Sequence, residues 1–264
     1  MTMDEVVKAA PGRHFPDGVA VVIGGSGGIG AAICTRLAEH GTDVALSFRS
    51  NRAKAEVVAA TVASAGQRHQ IGAVDAADLP SVTRFFDQAL AAFGRVHTVI
   101  FATGADISMT YTSQIDLDEW HRVIAGDLTG FLHVLKTALP QLRAGGGGSI
   151  VAITSAGIER HPPKDILSVA PKAGIEALIR GVAREEGRYG IRANTVGLGV
   201  IDTGLFHRLE ERLTPEFVEA MKANTALKRF GTAREAADAA VFLCSSVSGF
   251  ITGHRLMIDG GYSI

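Results

Sequence analysis

Val19-Ala-Val-Val-Ile-Gly-Gly-Ser-Gly-Gly-Ile-Gly30 is the stretch on which the reading of this chain turns. It opens with an unbroken apolar run, Val19–Ile23, the pattern of a strand buried on both faces of a parallel sheet. A glycine-dense turn follows, Gly24 to Gly30, and residues 31–40 then carry apolar side chains at helical spacing as far as Gly41. Strand, glycine turn and helix in that order suit a dinucleotide. The glycines let the backbone approach a diphosphate, and the helix N-terminus offers N–H donors and the positive end of its dipole. A flexible linker would also be rich in glycine, but the flanking periodicity has no place in a linker, and this context makes a glycine cluster far more specific.

Outward from that stretch, apolar runs alternate with amphipathic ones. Strands are expected over residues 43–48, 69–74, 96–101, 149–154, 192–196 and 254–258, and helices over 53–65, 79–93, 117–143, 168–189 and 233–244. The pattern predicts an α/β fold: a single Rossmann-like, doubly wound parallel sheet flanked by helices, spanning residues 19–264. Residues 1–18 are expected to form an N-terminal extension, as an arm or short helix. Residues 205–225, polar and with Pro215 inside, are expected to form a lid or substrate-binding insertion. Pro140 falls near the end of the long helix, and Pro171 is expected in the first turn of the 168–189 helix, where a missing N–H is tolerated.

Composition sets the bounds. With 264 residues and 47% hydrophobic content, the chain is long enough for one large core. A formal net charge of -1 gives no electrostatic case for nucleic acid or an anionic membrane. No window is apolar enough to span a bilayer, and Asp4 and Glu5 argue against a signal peptide. Cys34 and Cys244 lie in apolar helical stretches and read as reduced core residues of a cytoplasmic protein. No metal-ligand spacing is present, so no metal is expected.

The strand ends carry the candidate site. No acid stands between Val44 and Lys54, where one would bind a ribose 2′-hydroxyl; Arg49 and Arg52 stand there instead, which favours a 2′-phosphate and hence NADP(H) over NAD(H), unless both arginines are merely solvated. Asp75 can accept from an adenine amino group or cap the next helix, with Asp78 its rival for the cap. Gly104 allows close approach of a cofactor after the fourth strand. Ser155 ends the fifth strand, on the side where parallel sheets place ligands.

These pieces together resemble the short-chain dehydrogenase/reductase family from about Val19 to Tyr262. The resemblance rests on Gly24-Gly-Ser-Gly-Gly-Ile-Gly30, Asp75, Gly104, Leu128-Thr-Gly130, Ser155, Lys172-Ala-Gly174, Asn194, Ile201-Asp-Thr203 and Asp259-Gly-Gly261. It implies a nicotinamide cofactor, a small-molecule substrate and a homotetramer. It also implies roles: Gly24, Ser26, Gly28, Ile29 and Gly30 on the diphosphate, Arg49 on the 2′-phosphate, and Asp75 on the adenine. Ile201 and Thr203 would contact the nicotinamide amide, Lys172 its ribose, and Ser155 the reacting carbonyl.

The sequence departs from the family at several points. Ile23 replaces the usual Thr. The family's Tyr-x-x-x-Lys reads Ser168-Val-Ala-Pro-Lys172, its active-site Asn is Asp127, Asn-Asn-Ala-Gly is Phe101-Ala-Thr-Gly104, and Pro-Gly is Leu198-Gly199. A phenol, with a pKa of about 10, is a usable acid once a lysine lowers it; a serine hydroxyl is weaker and shorter. Ser168 therefore reads as an N-cap rather than a donor. Three replacements are open: Asp127 with Lys172 and a water, His161, or Tyr111. Asp in place of Asn without the Tyr resembles the peroxisomal 2,4-dienoyl-CoA reductases. Ser at the Tyr position resembles the mitochondrial ones, although residues 155–167 contain no tyrosine.

The expected activity is thus an NADPH-dependent oxidoreductase passing hydride to a carbonyl or a conjugated enoyl group, with an acyl-CoA a candidate for the latter. The alternative is an NADP(H)-binding sensor or partner subunit with little or no turnover. Ile107, Met109, Ile166, Leu205 and Phe206 suggest an apolar portion of the ligand.

Overall fold

The computed structural model describes residues 14–264. Seven strands form one all-parallel sheet in the order β3-β2-β1-β4-β5-β6-β7. They are β1 (Val19–Ile23), β2 (Asp43–Phe48), β3 (His69–Ala73), β4 (Val96–Phe101), β5 (Gly148–Ser155), β6 (Ile191–Leu198) and β7 (Arg255–Ile258). The order reverses between β1 and β4, and the crevice outside the carboxyl ends of those strands is where such sheets bind ligands.

The apolar runs read as strands are buried on both faces because helices cover both. Ala20 and Val22 face α1 (Gly28–Glu39), α2 (Arg52–Ser64) and α10 (Ala233–Cys244). Val19, Val21 and Ile23 face α3 (Leu79–Phe93), α5 (Gly130–Ala144) and α7 (Ile166–Glu186). Alternate residues of β1 thus feed two cores, so the strand tolerates no polar position. Cys34 and Cys244 are buried and free, their thiols pushed up by desolvation, Cys244 to about 12.

Of the N-terminal extension, residues 1–13 lie outside the described residues. The remainder returns to the core: the His14 carbonyl accepts from Ser246 N–H at 3.0 Å, and Phe15 is buried against His97. Among the described residues no helix is long and apolar enough to cross a membrane, and no group of three or more His, Cys, Asp or Glu side chains could hold a metal ion.

Some expected elements are refined and others corrected. The long helical stretch over residues 117–143 is present without a break, but it is divided into α4 (Leu117–Ile124) and α5 by a π-turn over Ala125–Thr129. Residues 205–225 form two short helices, α8 (Leu205–Glu210) and α9 (Pro215–Ala223); Pro215 starts the second, where its ring is tolerated, and Thr214 caps it. A one-turn helix, α6 (Gly157–Arg160), stands in the expected loop after β5. α7 begins at Ile166, so Ser168 is inside its first turn and is not its N-cap. Pro171 consequently lies in the second turn and leaves the Leu167 carbonyl without its helical donor. Asp78, not Asp75, caps α3, accepting from Ser81 N–H at 3.2 Å.

Candidate active site

The cofactor side of the site is made from backbone. Gly24 takes a left-handed conformation (φ 84°), and a β-carbon there would lie 2.8 Å from the Ala102 carbonyl oxygen. A β-carbon on Gly30 would lie 2.2 Å from the Gly24 carbonyl oxygen. The turn can therefore close only without side chains at these positions. Ser47 anchors it to β2, with its hydroxyl accepting from Gly24 N–H at 3.0 Å and its carbonyl from Ser26 N–H at 3.2 Å. Ile29 packs on the core. The segment after β6 folds over the turn: a β-carbon on Gly28 would lie 2.2 Å from Thr203 Oγ1, so the structure brings these two candidate contacts together. Ile201 behaves otherwise. Its side chain is buried beneath Gly231, and its carbonyl accepts from Thr203 N–H at 2.8 Å.

The residues present fit a dinucleotide. The first N–H groups of α1 have no acceptor within the helix, Gly27 at the N-cap gives no side-chain cap, and no acid stands in the first turn. That is an open anion site next to a glycine turn. Thr103 Oγ1, just after β4, is buried without a hydrogen-bond partner, and an orphaned hydroxyl at this position calls for a polar ligand atom. Gly104 is exposed beside it, with Leu205 Cδ1 3.1 Å from its would-be β-carbon. At the end of β2, Arg52 is paired with Glu56 at 2.8 Å, whereas Arg49, like Lys54, is exposed and makes no ion pair with the described residues. Asp75 is exposed at the end of β3, with Oδ1 accepting from Ala77 N–H at 3.0 Å.

The other side of the site is made from side chains. Asp127 is in the π-turn and only 4% exposed. An isolated carboxylate buried this deeply would be costly; Lys172 relieves that cost, with Nζ 3.7 Å from Asp127 Oδ2. Gly174 lets Leu128 of the π-turn pack close to α7, since a β-carbon there would lie 2.8 Å from Leu128 Cδ1 and the leucine would have to shift. Lys172 Nζ also donates to Ser168 Oγ at 3.4 Å, so Ser168 sits beside the ammonium. Ser155 closes β5, and its oxygen accepts from Gly157 N–H at 3.0 Å, which leaves its proton to be donated elsewhere.

One group escaped the sequence reading. Asp165 occupies the N-cap position of α7 but makes no capping bond. Its Oδ2 lies 3.1 Å from the point a β-carbon on Gly157 would occupy, and Ser155 Oγ lies 3.1 Å from that same point. Burial pushes the Asp165 carboxyl up to about 6, against the pull of the Lys172 ammonium. The only signal was an acid shortly before the Ser168 position, in a segment without a motif. Of the other donor candidates, His161 is exposed at the end of α6 in a left-handed conformation (φ 46°), and Tyr111 is 54% exposed with Lys164 Nζ 5.0 Å from its ring centroid.

The mouth is bounded by residues 105–115 and α8. Asp106 on the first pairs with Arg208 on the second at 3.7 Å. Met109 and Leu205 are exposed there, but Phe206 is buried against Phe230 and belongs to the packing of α8.

Comparison with known proteins agrees with this fold. A family model described as enoyl-(acyl carrier protein) reductase matches residues 24–263. The chain is 35% identical over 254 residues to cis-4-hydroxycyclohexanecarboxylate dehydrogenase of Sinomonas cyclohexanicum, covering 96% of this chain and 99% of that one. It is 31% identical over 242 residues to L-rhamnose 1-dehydrogenase (NAD(P)(+)) of a Sphingomonas species, covering 91% and 94%. Among solved structures, a short-chain dehydrogenase/reductase of Serratia marcescens superposes with a TM-score of 0.86 at 32% identity, covering 94% of this chain and 98% of that one.

Proposed function

The chain belongs to the short-chain dehydrogenase/reductase family of NAD(P)-dependent oxidoreductases, and from that premise we propose that it moves hydride between NADP(H) and a small, largely apolar substrate bearing a carbonyl or a conjugated carbon–carbon double bond. The observation that carries this reading is the placement of Lys172, paired with buried Asp127 at 3.7 Å, on the same sheet edge as Ser155 and the Gly24–Gly30 turn. A chain that had lost its activity would have no reason to keep a carboxylate buried against that ammonium.

The nicotinamide, when bound, donates or accepts the hydride. The main chain of Gly24, Ser26, Gly28, Ile29 and Gly30 would hold the diphosphate, and Arg49 the 2′-phosphate. Asp75 would hold the adenine amino group. Thr103 and Gly104 would border the ribose, and the Ile201 main chain and Thr203 the carboxamide. Lys172 would hold the nicotinamide ribose, with Asp127 fixing the position and charge of its ammonium. Ser155 would donate its hydroxyl proton to the substrate oxygen, which stabilises negative charge developing there. Ser168 accepts from Lys172 and orients it. Residues 205–225 would act as the lid, latched to the opposite loop by Asp106 and Arg208. Met109 and Leu205 at the mouth suit an apolar substrate, and the relative named for a hydroxylated cyclohexanecarboxylate is in keeping with a compact ring.

The test is turnover of NADPH and NADH by the purified protein with panels of ketones, alcohols and enoyl thioesters, alongside fluorescence titration of both cofactors. NADPH-linked turnover that disappears in Lys172→Ala is expected. Tight NADPH binding without turnover on any panel would instead make the protein a cofactor sensor or partner subunit.

A further inference from the structure

Two carboxylates flank Lys172, and the reading above uses only Asp127. Asp165 is the other. Aspartate at an N-cap ordinarily spends its side chain on the helix's free N–H groups. Asp165 does not: among the described residues its carboxylate makes no hydrogen bond and no ion pair within 4.0 Å. It turns toward Gly157, where Asp165 Oδ2, Ser155 Oγ and Val169 Cγ2 each lie 3.1 Å from the point that a β-carbon would occupy. The side-chain oxygens of Ser155 and Asp165 thus face one point beside Gly157.

We propose that Asp165 is the catalytic proton donor and acceptor of this enzyme, and that it commits the site to the carbonyl/secondary-alcohol couple. This rests on the reading of the site as an NADP(H)-dependent oxidoreductase. In the reducing direction the carbonyl carbon receives the hydride with its electron pair from a dihydronicotinamide. The C=O π pair moves to oxygen, and that oxygen takes the proton of the Asp165 carboxyl. The O–H bond of the acid breaks, leaving a carboxylate near the Lys172 ammonium, and solvent returns the proton. In the oxidising direction the carboxylate takes the alcohol proton as the C–H hydride passes with its electron pair to an oxidised nicotinamide.

The rival groups are placed less well. Asp127 is held by Lys172. Ser168 accepts from the same ammonium, and His161 and Tyr111 are exposed. The charged and titratable groups around Asp165 are few. On its own helix stands Lys172, and beyond it Asp127 of the π-turn. Lys164 precedes Asp165 and lies over the Tyr111 ring. On α6, Glu159 is engaged by Arg255, and Arg160 reaches toward the Ile264 carbonyl. Lys172 is the one that acts against the burial of Asp165, and the balance holds the group at about 6, where a general acid–base is useful at neutral pH.

The experiment compares the full-length protein with Asp165→Asn and Asp165→Glu. In Asp165→Asn, kcat for ketone reduction at pH 7 should fall about 100-fold or more. NADPH affinity by fluorescence should stay within about twofold, and the pH limb near 6 should vanish from kcat/KM. Asp165→Glu should keep the limb with reduced kcat. Independently of turnover, difference infrared titration of the protein alone should show a carboxylic acid ionising near 6 that is absent from Asp165→Asn. Wild-type kcat and pH profile in Asp165→Asn, a titration in the ordinary aspartate range, or turnover confined to enoyl thioesters would each overturn the assignment while leaving the oxidoreductase reading in place. Absence of turnover in the wild-type protein on every panel would overturn both.

Discussion

The Gly24–Gly30 turn and the Ser155–Lys172 segment lie on the same edge of the same sheet, yet they are built from different material. The turn is backbone held by steric necessity: Gly24 and Gly30 are so close to other main-chain atoms that no side chain fits. The segment from Ser155 to Lys172 is a set of side chains on a one-turn helix, a short loop and the start of α7. A change in the first disturbs the fold of the crevice, whereas the second can exchange one proton-bearing group for another without moving a strand. That difference lets a chain keep the glycine turn intact while the side chains along the second segment, Ser168 and Asp165 among them, vary.

The sharpest way to break this comparison is Gly24→Ala. The left-handed conformation alone costs about 1–2 kcal/mol for a side-chain residue, and the Ala102 carbonyl 2.8 Å from the new β-carbon forces the turn to move. NADPH affinity should fall about 100-fold or more, since each 1.4 kcal/mol is tenfold. Gly41→Ala is the control. Its backbone is also left-handed (φ 80°), but nothing lies within 4 Å, so it should lower thermal stability without weakening NADPH binding. Equal affinities in fluorescence titrations of the two variants would remove the steric argument.

A smaller effect is expected at the end of β2. Replacing Arg49 by Ala removes the free cation at that position, while Arg52 stays paired with Glu56. A charge-assisted hydrogen bond to phosphate is worth about 1.5–3 kcal/mol, and exposure of the group places the outcome at the low end. NADPH should bind about tenfold more weakly, with NADH affinity unchanged. A parallel loss for both cofactors would show that Arg49 acts on something other than the 2′-phosphate.

The same contrast governs what the sequence reveals. Strand runs, the glycine turn and the helices that cover the sheet are legible because burial on two faces and close backbone approach each demand one kind of residue over several positions. The Asp127–Lys172 pair was also anticipated, since both residues occupy motif positions. The π-turn that carries Asp127 was not, because its residues continue a helical pattern and nothing local marks the extra residue. Ser168 was misplaced because cap preference names a residue type rather than a starting point, and α7 starts before it. Asp165 was invisible for a related reason. It reads as a cap or a solvated acid, and only the fold of residues 156–165 turns it toward Ser155 instead of toward its own helix.

That orientation has a thermodynamic consequence that separates Asp165 from an ordinary N-cap aspartate. A capping carboxylate strengthens the fold when ionised. Asp165 is raised to about 6 from an unfolded value of 3.8, so its ionisation weakens the fold. The penalty is absent below the unfolded value, grows as pH rises between the two, and is complete above the folded one. Asp165→Asn should therefore be more stable than the wild type at pH 8, by about 1–2 kcal/mol after allowing for the partial exposure of the group, and unfold at a higher temperature. At pH 3 the two should coincide. A cap would give the reverse, a variant less stable at pH 8. Thermal denaturation at the two pH values thus tells a carboxyl kept for chemistry, at a cost to stability, from one kept to hold the helix.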